Sequence, residues 1–248
     1  MGRITEGIKH LLIVNVLFFL ATNLYGEQFY QWFSLWYPGN PNFAWWQVVS
    51  HMFMHGGLMH IFFNMYALWA FGSPLERMWG TRKFIFFYFS AGLGAALIHS
   101  GVNYYHVHQG VEALVAAGRP ESEIYQLLAQ GKYDQNWAQI APTQLVNRML
   151  DSYFTPAVGA SGAIYGILVA FGMSFPNSEL FLIFLPVPIK AKYFIPALIA
   201  LDLFSGVTGY SIFGGGIAHF AHVGGALFGF LMMWYWRRNQ FDRNRWDL

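Results

Sequence analysis

The sequence predicts an all-α membrane protein, a bundle of six transmembrane helices whose first outer loop lies in the membrane interface. Three observations carry this. The chain is too apolar for water, several of its apolar runs are long enough to cross lipid, and its basic residues fall on alternate connections. Of its 248 residues, 56% are hydrophobic, 20% aromatic and only 10% charged. A soluble domain carries roughly a quarter charged residues, so the solvent that suits this surface is a bilayer. A hydrocarbon core about 30 Å thick needs roughly 20 apolar residues per helix.

Six spans follow in order, at about 8–25, 48–71, 84–101, 158–175, 194–207 and 220–236. The apolar run after Lys9 has no small-residue cleavage site behind it, so it reads as a spanning helix that stays rather than a signal peptide. The second span carries three histidines and an asparagine, and the short fifth span holds Asp202. Arg3 and Lys9 precede span one, and Arg77, Arg82 and Lys83 separate spans two and three. Lys190 and Lys192 separate spans four and five, and Arg237, Arg238, Arg243 and Arg245 follow span six. With six spans all of these lie on one side, opposed by only Arg119, Lys132 and Arg148. Basic segments stay in the cytoplasm. The expectation is a multi-pass protein of the cell's inner (plasma) membrane, with both termini cytoplasmic and a short basic tail at 237–248.

Residues 26–46 hold Phe29, Tyr30, Trp32, Phe33, Trp36 and Tyr37, the amphipathic rings that settle at a membrane surface. Residues 102–156 form the one long polar stretch, an extracytoplasmic insertion between spans three and four within a single membrane domain (1–248). Loose helical periodicity at 111–117 and 124–145 predicts short surface helices there, broken at Gly118-Arg119-Pro120 and at Gly131. A net charge of +2 argues against nucleic acid, and the absence of cysteine removes thiol chemistry.

Polar groups inside spans are expensive and therefore functional candidates. His51, His55, His60 and Asn64 enter with span two, Ser161 opens span four, and His219 and His222 open span six. On the expected topology they converge below the outer face. A serine hydroxyl needs a base to take its proton, and imidazole is the usual one. Ser161 near a helix N-terminus has free backbone N–H groups for a developing oxyanion. His60 and Asn64, four residues apart, share a helical face and can both donate. Gly162 with Gly166, and Ala221 with Gly225 and Gly229, are small-residue stripes that allow close helix contact in lipid. The stripes would bring hydroxyl and imidazole together.

Three other constellations are weaker. His51 and His55 have a spacing that suits one metal-binding helical face, but no carboxylate lies among them, so hydrogen bonding within the bundle is the expectation, with neither metal nor other cofactor. Asp202 could be a triad acid; its position about midway along span five points instead to a buried structural acceptor. His219 could cap the start of span six or sit in the loop before it, and position 163 is alanine, which excludes the soluble G-x-S-x-G elbow.

The segment Gly159-Ala160-Ser161-Gly162 resembles the G-x-S-G signature of rhomboid intramembrane serine proteases. Ala218-His219-Phe220-Ala221-His222-Val223-Gly224-Gly225 is similar to their last-helix histidine motif. His60-Ile61-Phe62-Phe63-Asn64 resembles their H-x-x-x-N element, and Glu76-Arg77 with Gly80 resembles the turn after span two. The resemblance implies a Ser–His dyad without an acid: Ser161 as nucleophile and His222 as base, with His60, Asn64 and the Ser161 N–H as the oxyanion site. Gly159 and Gly162 support the nucleophile, Tyr165 would pack on the catalytic imidazole, and residues 209–218 would cap the site. It also implies substrates that are transmembrane segments of other proteins, cut within the lipid bilayer and entering beside span five. Gln47 departs from the family, where many relatives have arginine after the tryptophan, which leaves the anchoring of the first outer loop open. Two rival readings are a rhomboid-like fold that binds membrane helices without cutting them and a histidine-liganded metalloenzyme. A transporter is a third, weakened by the lack of an evident inverted repeat.

Overall fold

A computed structural model describes residues 4–182, 185–210 and 218–243. Helix α1 (Glu6–Tyr25) starts with Glu6 in its first turn and closes on Gly26, whose φ of 62° suits glycine. Helix α2 (Glu27–Phe33) follows, then a loop to α3 (Gln47–Ser50) and one tighter turn at His51–Phe53. Helix α4 (Leu58–Ala67) passes through a widened turn at Leu68–Gly72 into α5 (Ser73–Trp79). Helix α6 (Thr81–Ala116) runs for 36 residues, and α7 (Glu121–Ala129), α8 (Trp137–Ile140) and α9 (Thr143–Phe154) succeed it. Helix α10 (Ser161–Ser174) leads to a two-stranded antiparallel ribbon, β1 (Glu179–Leu182) with β2 (Leu185–Lys190), which pairs Glu179 with Lys190. Helices α11 (Ala191–Thr208) and α12 (His219–Arg243) complete the chain.

Among the described residues, α1, α6 and α11 are long and apolar enough to cross a membrane, and α10 is a shorter apolar helix. The exposure pattern agrees with a membrane protein. Helix α1 buries Ile8 and Leu11 but leaves Val16, Leu17, Leu20 and Leu24 exposed, and α12 exposes Leu227, Phe230, Leu231 and Trp234. In water such apolar outer faces would be a liability; in lipid they meet their solvent.

The architecture differs from the sequence expectation in three places. The second span is not one helix: Met54–Gly57 interrupts it, so His51 lies before the break, His55 within it, and His60 and Asn64 beyond it. The third span does not end near Gly101, because α6 continues about 22 Å further to Ala116. Its extension carries α7, α8 and α9 on a second apolar cluster, in which Val111, Leu114, Trp137, Met149 and Tyr153 are buried. The polar composition of 102–156 thus hides enough regularly spaced apolar residues to build a helical appendage. The all-α expectation also omits the ribbon at 179–190.

Helix α10 lies at the centre, with Gly162–Phe171 buried throughout. It meets α12 with almost no side chain between. A Cβ built on Gly225 would lie 1.8 Å from the Gly162 carbonyl oxygen, and one on Gly229 would lie 2.6 Å from Gly166 Cα. The same glycines of α10 meet α6: a Cβ on Gly162 would lie 2.6 Å from Ala95 Cβ and one on Gly166 2.6 Å from Ala91 Cβ. Glu76 secures the other end of the bundle. Its carboxylate accepts from Gly7 N (2.7 Å), Ile8 N (2.9 Å) and the hydroxyls of Thr81 (2.7 Å) and Thr5. An anion at the start of α1 satisfies orphan N–H groups and complements the helix dipole.

Two outcomes follow. Gly225→Val forces backbone into backbone, so the melting temperature in detergent falls by the equivalent of about 1–3 kcal/mol or the protein fails to assemble. Burial by itself would raise the Glu76 pKa, but the four donors outweigh it and hold it below the usual glutamate value of 4.5. The folded-state value is depressed, so the stability it adds is complete above about pH 4.5 and is lost as pH falls through the lower folded value. The melting-temperature gap between wild type and Glu76→Gln is therefore widest at neutral pH and closes in acid.

Candidate active site

Ser161 opens α10, and the residue that turns the chain into it is Gly159, at a φ of 125°. A side chain there would meet both His60 Nε2 (2.9 Å) and Ser161 Oγ (3.4 Å), so glycine is required by conformation and by space. The approach to Ser161 is pinned from two sides. Ala157 exchanges backbone hydrogen bonds with Leu35 of the first outer loop (2.9 Å each), and Gly159 N donates to His51 O (2.9 Å).

His222, one turn into α12, presents Nε2 2.8 Å from Ser161 Oγ. Its ring stacks on Tyr165 of α10, with centroids 4.2 Å apart and planes 10° from parallel. The far side of the imidazole holds a group the sequence placed elsewhere. Asp202 Oδ1 accepts from His222 Nδ1 at 3.1 Å and from His219 Nδ1 at 2.5 Å, and Tyr165 donates its hydroxyl to Oδ2. Asp202 is therefore not remote from His222, and His219 bonds to it rather than merely capping α12. The reason is depth. Asp202 lies six residues before the end of α11, about 9 Å along the axis, and His222 lies three residues into α12, about 4.5 Å. Crossing helices close that difference. The findable signal was the cost of an ionisable group in a span, which demands a partner.

His60 Nε2 and Ser161 Oγ both crowd the Gly159 Cβ position, so span two and α10 do meet at the serine. The Gly56 N–H points at His60 Nδ1 at 3.4 Å. In that tautomer the ring proton sits on Nε2, which offers a donor on the serine side. Asn64 is buried and uses one amide proton on His60 O (2.9 Å); a second proton remains. His51 Nδ1 bonds to Gln47 O (2.8 Å) and His55 Nδ1 lies 3.3 Å from Phe53 O, and among the described residues the group whose ligand atoms could share one metal ion is Asp202, His219 and His222.

Gln47 answers the question raised by the missing arginine. It is fully buried; Nε2 lies 2.8 Å from Asn42 O, 3.2 Å from Gln31 O and 3.3 Å from Trp32 O, while Oε1 accepts from Trp36 N (3.4 Å). A neutral amide thus ties the loop by its backbone. The loop is also held by the appendage, through Asn40 Nδ2 to Tyr153 O (2.9 Å) and Tyr153 OH to Gly39 O (3.2 Å). Of the cap expected at 209–218, residues 211–217 lie outside the described residues.

A serine at the start of a central buried helix, a histidine on a glycine-paired last helix and an H-x-x-x-N helix beside them describe one membrane-protein class, and this chain belongs to the rhomboid family. The rhomboid domain matches residues 42–118 and 136–239. The mouse presenilin-associated rhomboid-like protein, mitochondrial, is 32% identical over 184 residues, which cover 74% of this chain and 35% of the relative. The rhomboid protease AarA of Providencia stuartii is 28% identical over 201 residues, 76% of this chain and 54% of the relative. The mitochondrial rhomboid protein 1 of Saccharomyces cerevisiae is 24% identical over 188 residues, 76% of this chain and 41% of the relative. The matched segment therefore spans about a third to a half of each of these proteins.

Proposed function

We propose that this chain is an intramembrane serine endopeptidase that cuts transmembrane segments of other proteins through Ser161 and His222. The observation that carries the proposal is the 2.8 Å approach of His222 Nε2 to Ser161 Oγ, within reach for proton transfer. His222 takes the hydroxyl proton as Oγ bonds to the substrate carbonyl carbon, and the carbonyl electron pair moves to its oxygen. Collapse expels the amine, which takes the proton from Nε2 and leaves an acyl-serine. Water, deprotonated by the same imidazole, then releases the acid and restores the hydroxyl. His60 Nε2–H, the spare Asn64 amide proton and the Ser161 N–H are the proposed oxyanion donors.

Helix length supports cutting inside the bilayer. The 14 residues of α10 span about 21 Å, against a hydrocarbon core of about 30 Å. With Ser174 near one surface, Ser161 lies below the other. The six-span arrangement, cytoplasmic termini and interfacial placement of the first loop belong to the same proposal; Trp32, Trp45 and Trp46 are exposed, as interface residues would be. The basic-residue asymmetry supports a cell's inner (plasma) membrane. The mitochondrial relatives name the competing address, which fractionation of the source cells resolves.

Labelling of the purified protein with a fluorophosphonate probe is expected, and Ser161→Ala and His222→Ala each reduce it to background. Asn64→Ala lowers kcat on a cleavable transmembrane substrate by about 10²–10³-fold, the usual cost of one oxyanion donor. Chelators leave cleavage unchanged. Labelling that persists in Ser161→Ala overturns the assignment, and cleavage that stops with a chelator and returns with a divalent metal replaces it with a metalloenzyme.

A further inference from the structure

We propose that Asp202 is a positioning residue for His222, so that the site works as an acid–base–nucleophile relay rather than as an isolated pair; the proposal rests on His222 acting as the base. The geometry is continuous. Asp202 Oδ1 lies 3.1 Å from His222 Nδ1, and the opposite ring nitrogen lies 2.8 Å from Ser161 Oγ. An ionised carboxylate only accepts hydrogen bonds. It therefore fixes the imidazole proton on Nδ1 and leaves the Nε2 lone pair facing the hydroxyl. As the serine is deprotonated the ring becomes an imidazolium, and a carboxylate at hydrogen-bond distance stabilises it in a site that water scarcely reaches. The carboxylate itself keeps its charge through the cycle.

Two features separate this from a merely structural acceptor. Asp202 is itself held by two further donors, His219 Nδ1 at 2.5 Å on the same oxygen and the Tyr165 hydroxyl on the other. Tyr165 also stacks on the His222 ring, so one side chain fixes both the acid and the plane of the base. The helix that carries the acid is fixed as well: Arg148 of α9 donates to Val207 O (2.9 Å) at the C-terminal end of α11, where a cation complements the helix dipole. The extramembrane appendage thereby holds α11 where Asp202 meets His222. The groups in direct contact with the His222 ring are Ser161 and Tyr165 from α10 and Asp202 from α11, and His219 of its own helix shares the Asp202 oxygen.

The test uses the full chain in detergent micelles, with kcat and KM on a cleavable transmembrane substrate and the rate of fluorophosphonate labelling. Asp202→Asn is expected to lower kcat and labelling rate by at least about 100-fold, since an amide can turn its N–H₂ to Nδ1 and impose the wrong tautomer. KM should stay within about twofold. A labelling rate within about threefold of wild type, in protein that melts cooperatively, overturns the proposal. The ring ¹⁵N shifts of His222 keep the proposal testable should Asp202→Asn not fold. In histidine-labelled Ser161→Ala and His219→Gln protein the proton is expected on Nδ1, with a downfield Nδ1–H resonance. A proton on Nε2 overturns the proposal. Loss of the protease reading would show separately, as labelling that survives in His222→Ala.

Discussion

The contact on which the rest of the molecule depends is the near-touching of two backbones, α10 and α12, across Gly162, Gly166, Gly225 and Gly229. Where a Cβ on Gly225 would fall 1.8 Å from a carbonyl oxygen, no larger residue fits without moving a helix. In lipid there is no hydrophobic drive between helices, so van der Waals contact at such close range is what binds them. The same closeness sets the chemistry. Ser161 and His222 stand at the starts of the two helices just beyond the glycine contact, and the 2.8 Å between Oγ and Nε2 is inherited from the backbone spacing.

The remaining constraints keep polar groups satisfied where water is scarce. Asp202 gathers three donors, Gln47 gathers three loop carbonyls, and Glu76 gathers two N–H groups and two hydroxyls. Each is a buried side chain whose burial would be costly unpaired, and each ties together segments far apart in sequence. The outer loop, the appendage on α6 and the approach to Ser161 form one hydrogen-bonded assembly above the site. Its Arg148 contact reaches the end of α11, the helix that carries the acid.

Much of this was legible in the chain. Ser161, His222, His60, Asn64 and the two glycine stripes stand out because each is an anomaly: polar groups where lipid should be, or glycines where a helix would prefer alanine. Asp202 is visible for the same reason, but its contact with His222 is not, because residue counting gives depth along one helix and not the angle at which two helices cross. The break at Met54–Gly57 had a signal in the Gly56-Gly57 pair, a turn dipeptide, which the apolar residues on either side outweighed in a span-length average. The extension of α6 was hidden by the opposite effect: beyond Gly101 only one face, with Val107, Val111 and Leu114, needs to be apolar, and a window average reads the rest as polar loop.

The central question for the molecule is whether Ser161 becomes a nucleophile when His222 stands against it. Peptide mapping by mass spectrometry after reaction with a fluorophosphonate measures this most directly. The account predicts a single adduct, on the peptide containing Ser161, that is absent from His222→Ala protein of unchanged fold. An adduct on another residue, or none on folded wild-type protein, would contradict it.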